Sequence, residues 1–451
     1  MKKFLLLALF SVTAQANMHL APPDFDVSSG RAVFVDFSKA NYKITYDLAK
    51  KVASVESEIK FKINRPGKPI FDMVTKPEDL RLDGAPVAHR LVDLPDEASK
   101  VRVVWVDVQA GEHTLTMKHT LETNVTFDSN KEAVRSAFWI RDLRTRLFIE
   151  QYVPTNLEFD QYQMTLDVVF QGKSRKKTSY PIEIMHNGYL KQLSANSYRI
   201  EFPEWYMASA PYFHTFPKGA FNVRRFDMKS IDGRTIPFTI YAASGVEKFV
   251  TYAKEVFAEL EKDYGPWGHH QFTAYGAGSG GMEHAGATMS SIGALDHEML
   301  HSYFAKGVMP SNGNSGWIDE GLANWRDRGY PALAAPGKVA NLAGRSAYAR
   351  NTDDRAYSVG SDLFGHIDSL MANVGGLKAF LRGYYQTYKH TQITVDHFRN
   401  NLEFFAGQSF EHLFQDHVYR NPSKTKANFV ESHTIDHNHA PLTAAQLKAL
   451  L

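Results

Sequence analysis

The sequence predicts a multidomain protein in which an antiparallel β-sandwich precedes a mainly helical α+β domain. Three observations carry this expectation. The chain has 451 residues, more than one hydrophobic core usually organises, so two or three domains are expected. Between about residues 33 and 202, short stretches alternate apolar and polar side chains between clusters of turn residues, the pattern of half-buried strands. From residue 246 onward the apolar residues recur with helical period instead.

The chain opens on MKKFLLLALFSVTAQA, with Lys2 and Lys3 before an apolar run and Ala14 and Ala16 at its end. A signal peptidase recognises that order, so residues 1–16 are expected to be a signal peptide, Asn17 the start of the mature chain, and the protein periplasmic or secreted. No later segment is apolar over a membrane-spanning length, so no stable membrane anchor is expected.

Strands are expected over residues 42–48, 55–63, 101–108, 113–119, 147–153, 162–170 and 198–202, with turns at 64–67, Asp83-Gly84 and Asn187-Gly188. The basic run KSRKK at 173–177 reads as a solvated hairpin tip. Strands over 222–228 and 235–241 flank the Asp232-Gly233 turn. A helix over 246–263 follows, its apolar face made by Phe249, Tyr252, Ala253, Val256, Phe257 and Leu260. The expected domains are therefore a β-rich unit over 17–225 and a catalytic unit over 226–421. The polar tail 422–451 carries His433, His437 and His439 and reads as solvated.

Lys and Arg number 51 against 49 Asp and Glu, a net charge of +2, so no global field recommends a nucleic acid as partner. Cysteine is absent, which excludes disulfides, a lipidated cysteine and thiolate metal ligands. Any metal must be held by histidines and carboxylates.

Such a set is present. In ALDHEMLHSYFAKG, His297 and His301 are four residues apart, which places both imidazoles on one helical face and suits two corners of a tetrahedral zinc site. Ser290 and Ser291 offer N-caps, Gly307 a stop, and Leu295, Met299, Tyr303 and Phe304 packing. A second helix is expected in NSGWIDEGLANWRDRG, capped by Asn314 or Ser315 and ending before Gly329. Its Glu320 follows His301 after eighteen intervening residues and can donate a third ligand. Three protein ligands leave a fourth position for water, the arrangement of a catalytic rather than a structural zinc.

Zinc lowers the pKa of bound water, and Glu298 can accept its proton as that water attacks a carbonyl. Asn324, one turn after Glu320, is a candidate to orient a ligand histidine. Upstream, GSGGMEHAGAT sets Glu283 in a glycine-rich stretch whose backbone, at Gly281 and Met282, can lie along a substrate as an edge strand. The Glu283 carboxylate can pair with a substrate's free α-ammonium.

Together the three blocks, GGMEH (280–284), HEMLH (297–301) and WIDEG (317–321), resemble the aminopeptidase-N family of gluzincin zinc metallopeptidases in order and spacing. The resemblance implies a saddle-like β first domain, a thermolysin-like catalytic domain and one Zn2+ per chain. It implies peptide substrates, with His297, His301 and Glu320 as ligands, Glu298 as general base and Glu283 as amino-terminus anchor. The family's transition-state tyrosine, in a Y-x-x-G string, matches Tyr357 in YSVG; Tyr384, Tyr385 and Tyr388 fall in a stretch where the family's tyrosines pack. Three departures stand out. His284 replaces an asparagine and is similar to the glycyl aminopeptidases. Ser302 and Tyr303 replace a Gln-Trp pair. A large C-terminal helical domain and a PDZ-like segment are not seen. The expected function is a zinc aminopeptidase, against an endopeptidase of the same fold or a non-catalytic peptide-binding protein.

Overall fold

The structure, a computed structural model, describes residues 18–129, 133–138, 149–172, 181–312, 315–349 and 352–420. The expected signal peptide, the KSRKK run and the His-containing tail lie outside these residues.

The N-terminal half is mostly sheet. Its largest sheet has eight strands, in the order Tyr189–Ser194, Ser197–Phe202, Gln163–Gln171, Asp36–Asp47, Val52–Ile63, Gly111–Thr120, Asp79–Leu82 and Ala85–Pro86. Strict alternation makes one face: from Ala53 to Ile63 every second residue is buried and its neighbour exposed. The Asp83-Gly84 turn holds positive φ at both residues, 49° and 82°, the geometry of a tight hairpin.

Two further sheets of five and four strands complete this half, so the expected antiparallel sandwich is corrected to three sheets. The correction extends to strand sense, because Asp36–Asp47 runs parallel to Gln163–Gln171 and Gly30–Val33 parallel to Lys68–Phe71. Two expected strands also change. Of residues 147–153, the described part turns in a 3-10 helix at Ile149–Gln151 and buries Ile149, Tyr152 and Val153; a short apolar run does not distinguish a strand from a buried turn. The strand expected over 101–108 is Lys100–Val104.

The second half has its own core, drawn from residues 236 to 418. It contains a five-stranded sheet in the order Asn222–Lys229, Thr235–Ala242, Phe272–Gly276, Ala287–Ser290 and Gly281–His284. Seven α-helices are described: α1 (Val246–Tyr264), α2 (Leu295–Leu300), α3 (Trp317–Asp327), α4 (Val359–Leu370), α5 (Gly376–Tyr388), α6 (Val395–Ala406) and α7 (Glu411–His417). None among the described residues is long and apolar enough to cross a membrane.

The halves meet along a seam of buried polar groups. Asn187 donates to the carbonyls of Ala210 and Ala285 and accepts from the Tyr212 amide, while the Tyr206 hydroxyl donates to Ala285 as well. These bonds fix the tip of the Gly281–His284 hairpin from the N-terminal side.

Candidate metal centre

The helix α2 is short and held by packing rather than by caps. Leu295, Met299 and Leu300 are fully buried in the second core. The expected caps Ser290 and Ser291 do not serve: the N-cap is Ala294, with no side-chain bond, because Ser290 is already paired in the sheet opposite Gly276 and Gly281. Ser315 likewise does not cap α3, whose N-cap is Gly316; Asn314 lies outside the described residues.

His301 closes α2, and its side chain returns to the face of His297, with ring centroids 4.8 Å apart. The two Nε2 atoms converge on one oxygen of α3, Glu320 Oε2, at 3.3 and 3.5 Å. The opposite nitrogens are occupied: His297 Nδ1 lies 2.6 Å from Asp327 Oδ2 and His301 Nδ1 3.3 Å from the Phe304 carbonyl. Protonated at Nδ1, both rings present an Nε2 lone pair inward, the tautomer a metal requires. Donors about 2.0 to 2.1 Å from a tetrahedral zinc stand roughly 3.3 Å apart, so both Nε2–Oε2 separations suit ligands of one ion.

Before any metal binds, the rings themselves carry the positive charge, and a metal would take the place of their protons. Burial opposes charge on both rings, yet Asp327 and Glu320 outweigh it at His297, raising it to about 9, and Glu320, with Glu283 and Asp319, raises His301 well above its ordinary range. Burial likewise opposes a charged Glu320, but the two histidines hold its carboxyl far below the usual range. The point where these groups meet favours positive charge.

Glu298 faces the same point. It is buried, and its Oε2 has no hydrogen-bond partner, a cost unless a ligand or water is bound there. Burial pushes its carboxyl up to about 8, with Glu283 and Glu320 adding to the shift and the two histidines opposing it. The backbone of Gly281 runs directly against it, since a Cβ there would stand 2.1 Å from Glu298 Oε1.

Gly281–His284 is the edge strand of its sheet. Period two divides its side chains. Glu283 turns toward Glu298 and His301, with carboxylate and imidazole atoms within 4.8 Å. Met282 packs against Met289 instead, and His284 accepts burial against Tyr212 with Nδ1 2.9 Å from the Pro211 carbonyl. His284 therefore ties the edge strand to the N-terminal half and stays neutral, its pKa lowered by burial and Lys306 to about 3.

Tyr357 ends a 3-10 turn, Asp354–Tyr357, that begins with Asp353 capping the Arg355 amide at 2.9 Å. Its ring lies nearly parallel to that of His297, 6.3 Å away. Two glycines allow this approach. A Cβ on Gly321 of α3 would stand 2.8 Å from the Phe364 ring, and Gly360 of α4 packs on the Gly321 backbone. Asn324 donates to the Tyr357 carbonyl, so it steadies that turn and does not orient a ligand histidine. Tyr384, Tyr385 and Tyr388 are packed within the core.

Two residues went unnoticed in the sequence. Asp327 lies seven residues after Glu320 on α3, two turns along the same face, and that spacing was the available signal. Lys306 has none: it sits in the turn after α2, buried, with Nζ 3.4 Å from Glu283 Oε1.

No sequence family and no curated protein matches the chain, but the fold is shared with solved M1 zinc metallopeptidases. An M1 zinc metallopeptidase from Deinococcus radiodurans is similar over 91% of this chain and 96% of its own, at 15% identity and a TM-score of 0.59. Native yeast LTA4 hydrolase is similar over 85% of this chain and 68% of its own (13%, 0.61). Legionella pneumophila aminopeptidase A, solved with aspartic acid, is similar over 88% of this chain, which spans about half of it, 51% (13%, 0.64).

Proposed function

We propose that the protein is an exported zinc metallopeptidase that removes N-terminal residues from peptides, with a thermolysin-like catalytic half. One observation carries the reading: both inward Nε2 atoms converge on Glu320 Oε2 beside the unpartnered Oε2 of Glu298. A zinc ion held by His297, His301 and Glu320 would supply Lewis acidity and a water of lowered pKa. Glu298, at Oε2, would accept a proton from the attacking water and pass it to the leaving amine. Tyr357, whose ring lies alongside that of His297, is the hydroxyl donor toward the oxyanion.

The free edge of Gly281–His284 offers backbone groups at Gly281 and Met282 for a peptide to pair as an added strand. Glu283 then receives the substrate's ammonium. In keeping with this, one of the Deinococcus structures similar to the chain carries a Tyr-Ser-Ala peptide as substrate.

The test joins zinc content to cleavage of a hexapeptide library supplied with free or N-acetylated termini. About one zinc per chain is expected, with products shortened from the free end and faster cleavage of free peptides. Equal cleavage of both sets would remove the aminopeptidase reading and leave an endopeptidase. A Glu298→Gln variant that hydrolyses as fast as the parent would remove the catalytic reading altogether.

A further inference from the structure

The carboxylate read as the substrate's anchor already has a cation beside it. Lys306 leaves the turn after α2, only 4% exposed. Its ammonium lies 3.4 Å from Glu283 Oε1 and donates to Ser209 Oγ at 2.9 Å. Ser209 is fully buried and comes from the N-terminal half. Glu283 thus sits between a strand edge open to substrate and a lysine fixed from behind.

We propose that Lys306 is a specificity-determining residue: by pairing with Glu283 it makes selection for a free amino terminus graded instead of absolute. The inference rests on Glu283 being the amine anchor. A buried carboxylate with no partner discriminates sharply, because a peptide lacking the ammonium leaves it desolvated and unpaired. With Lys306 in place, a blocked peptide leaves Glu283 still paired and loses only its own contact. An incoming ammonium, in turn, meets a carboxylate whose field Lys306 has partly cancelled. Both effects narrow the gap between free and blocked substrates.

The zinc-loaded full-length protein is compared with Lys306→Met, Lys306→Arg and Glu283→Gln on the same hexapeptide library, with free and N-acetylated sets run in parallel. Lys306→Met removes the charge at similar volume and is expected to raise the free-to-acetylated ratio of kcat/KM by about tenfold, chiefly through a higher KM for acetylated peptides. Lys306→Arg restores the parent ratio. A lysine that is only a strut between the halves would lower both rates together, and an unchanged ratio in Lys306→Met overturns the proposal.

If Lys306→Met does not fold, the double variant Glu283→Gln/Lys306→Met decides, since it removes both charges and strands neither. Lys306 acting through Glu283 requires its ratio to equal that of Glu283→Gln; any further change overturns the proposal. The two readings separate cleanly. A Glu283→Gln variant with the parent ratio sinks the anchor itself, whereas a lowered ratio in Glu283→Gln with no rise in Lys306→Met sinks only the role of Lys306.

Discussion

At the scale of single residues, the centre depends on groups that do not touch the metal position. Asp327 holds His297 through Nδ1 at 2.6 Å, so Asp327→Asn is expected to weaken zinc binding about 10- to 100-fold while activity at saturating zinc falls less. Competition against a zinc-sensitive dye measures this, and unchanged affinity would show that His297 is oriented by packing alone. Gly281 is constrained from the other side. A Cβ there collides with the Glu298 carboxylate, so Gly281→Ala should lower kcat with zinc retained. The clustering of His297, Glu298 and His301 was legible in the sequence because their spacing is local to one helix. Lys306 was not, since it acts across a contact between segments that no local period encodes, and Asp327 offered only its seven-residue spacing from Glu320.

At the scale of elements, one arginine joins the three helices that build the centre. Arg326 of α3 is paired with Glu259 of α1, with Asp296 at the start of α2 and with Asp327 beside it. Its side chain is 7% exposed whereas its partners are 40%, 19% and 28% exposed, so removing the charge leaves three acids that water partly solvates. Arg326→Met is expected to destabilise by about 1 to 3 kcal/mol and to loosen zinc binding, because Asp296 adjoins His297 and Asp327 holds its ring. Denaturant midpoints of zinc-free and zinc-loaded protein measure the two effects separately. A loss confined to stability would mean that α2 and α3 keep their geometry without the arginine. α1 was legible almost to its last residue, since its apolar period is long and regular. Helix caps were not: α2 and α3 start on Ala294 and Gly316 without side-chain bonds, held by burial of Leu295 and Trp317 rather than by local syntax.

At the scale of the whole molecule, the seam between the halves is expected to be sensitive to acid. His214 packs on Tyr275, His269 packs on Trp205 with ring centroids 5.4 Å apart, and His284 bonds the Pro211 carbonyl at 2.9 Å. Each crosses between segments far apart in sequence, which is why the sequence reading placed none of them there. Burial lowers all three, to about 4 for His214 and about 3 for His269 and His284. Between those values and the ordinary histidine pKa of about 6.5 the unfolded chain binds protons that the folded chain refuses. Their contribution to stability is therefore complete above about pH 6.5 and is lost as pH falls toward 4, by at most about 1.4 kcal/mol per pH unit for each ring. Guanidinium midpoints of the zinc-free protein, taken from pH 7.5 to 5, should fall steeply below pH 6.5. The triple variant His214→Phe, His269→Phe and His284→Phe isolates the cause, since Phe cannot be protonated. If the variant folds and shows the parent's slope, the acid sensitivity lies elsewhere; a flattened slope assigns it to the seam, where protonation would part the N-terminal half from the edge strand that carries Glu283.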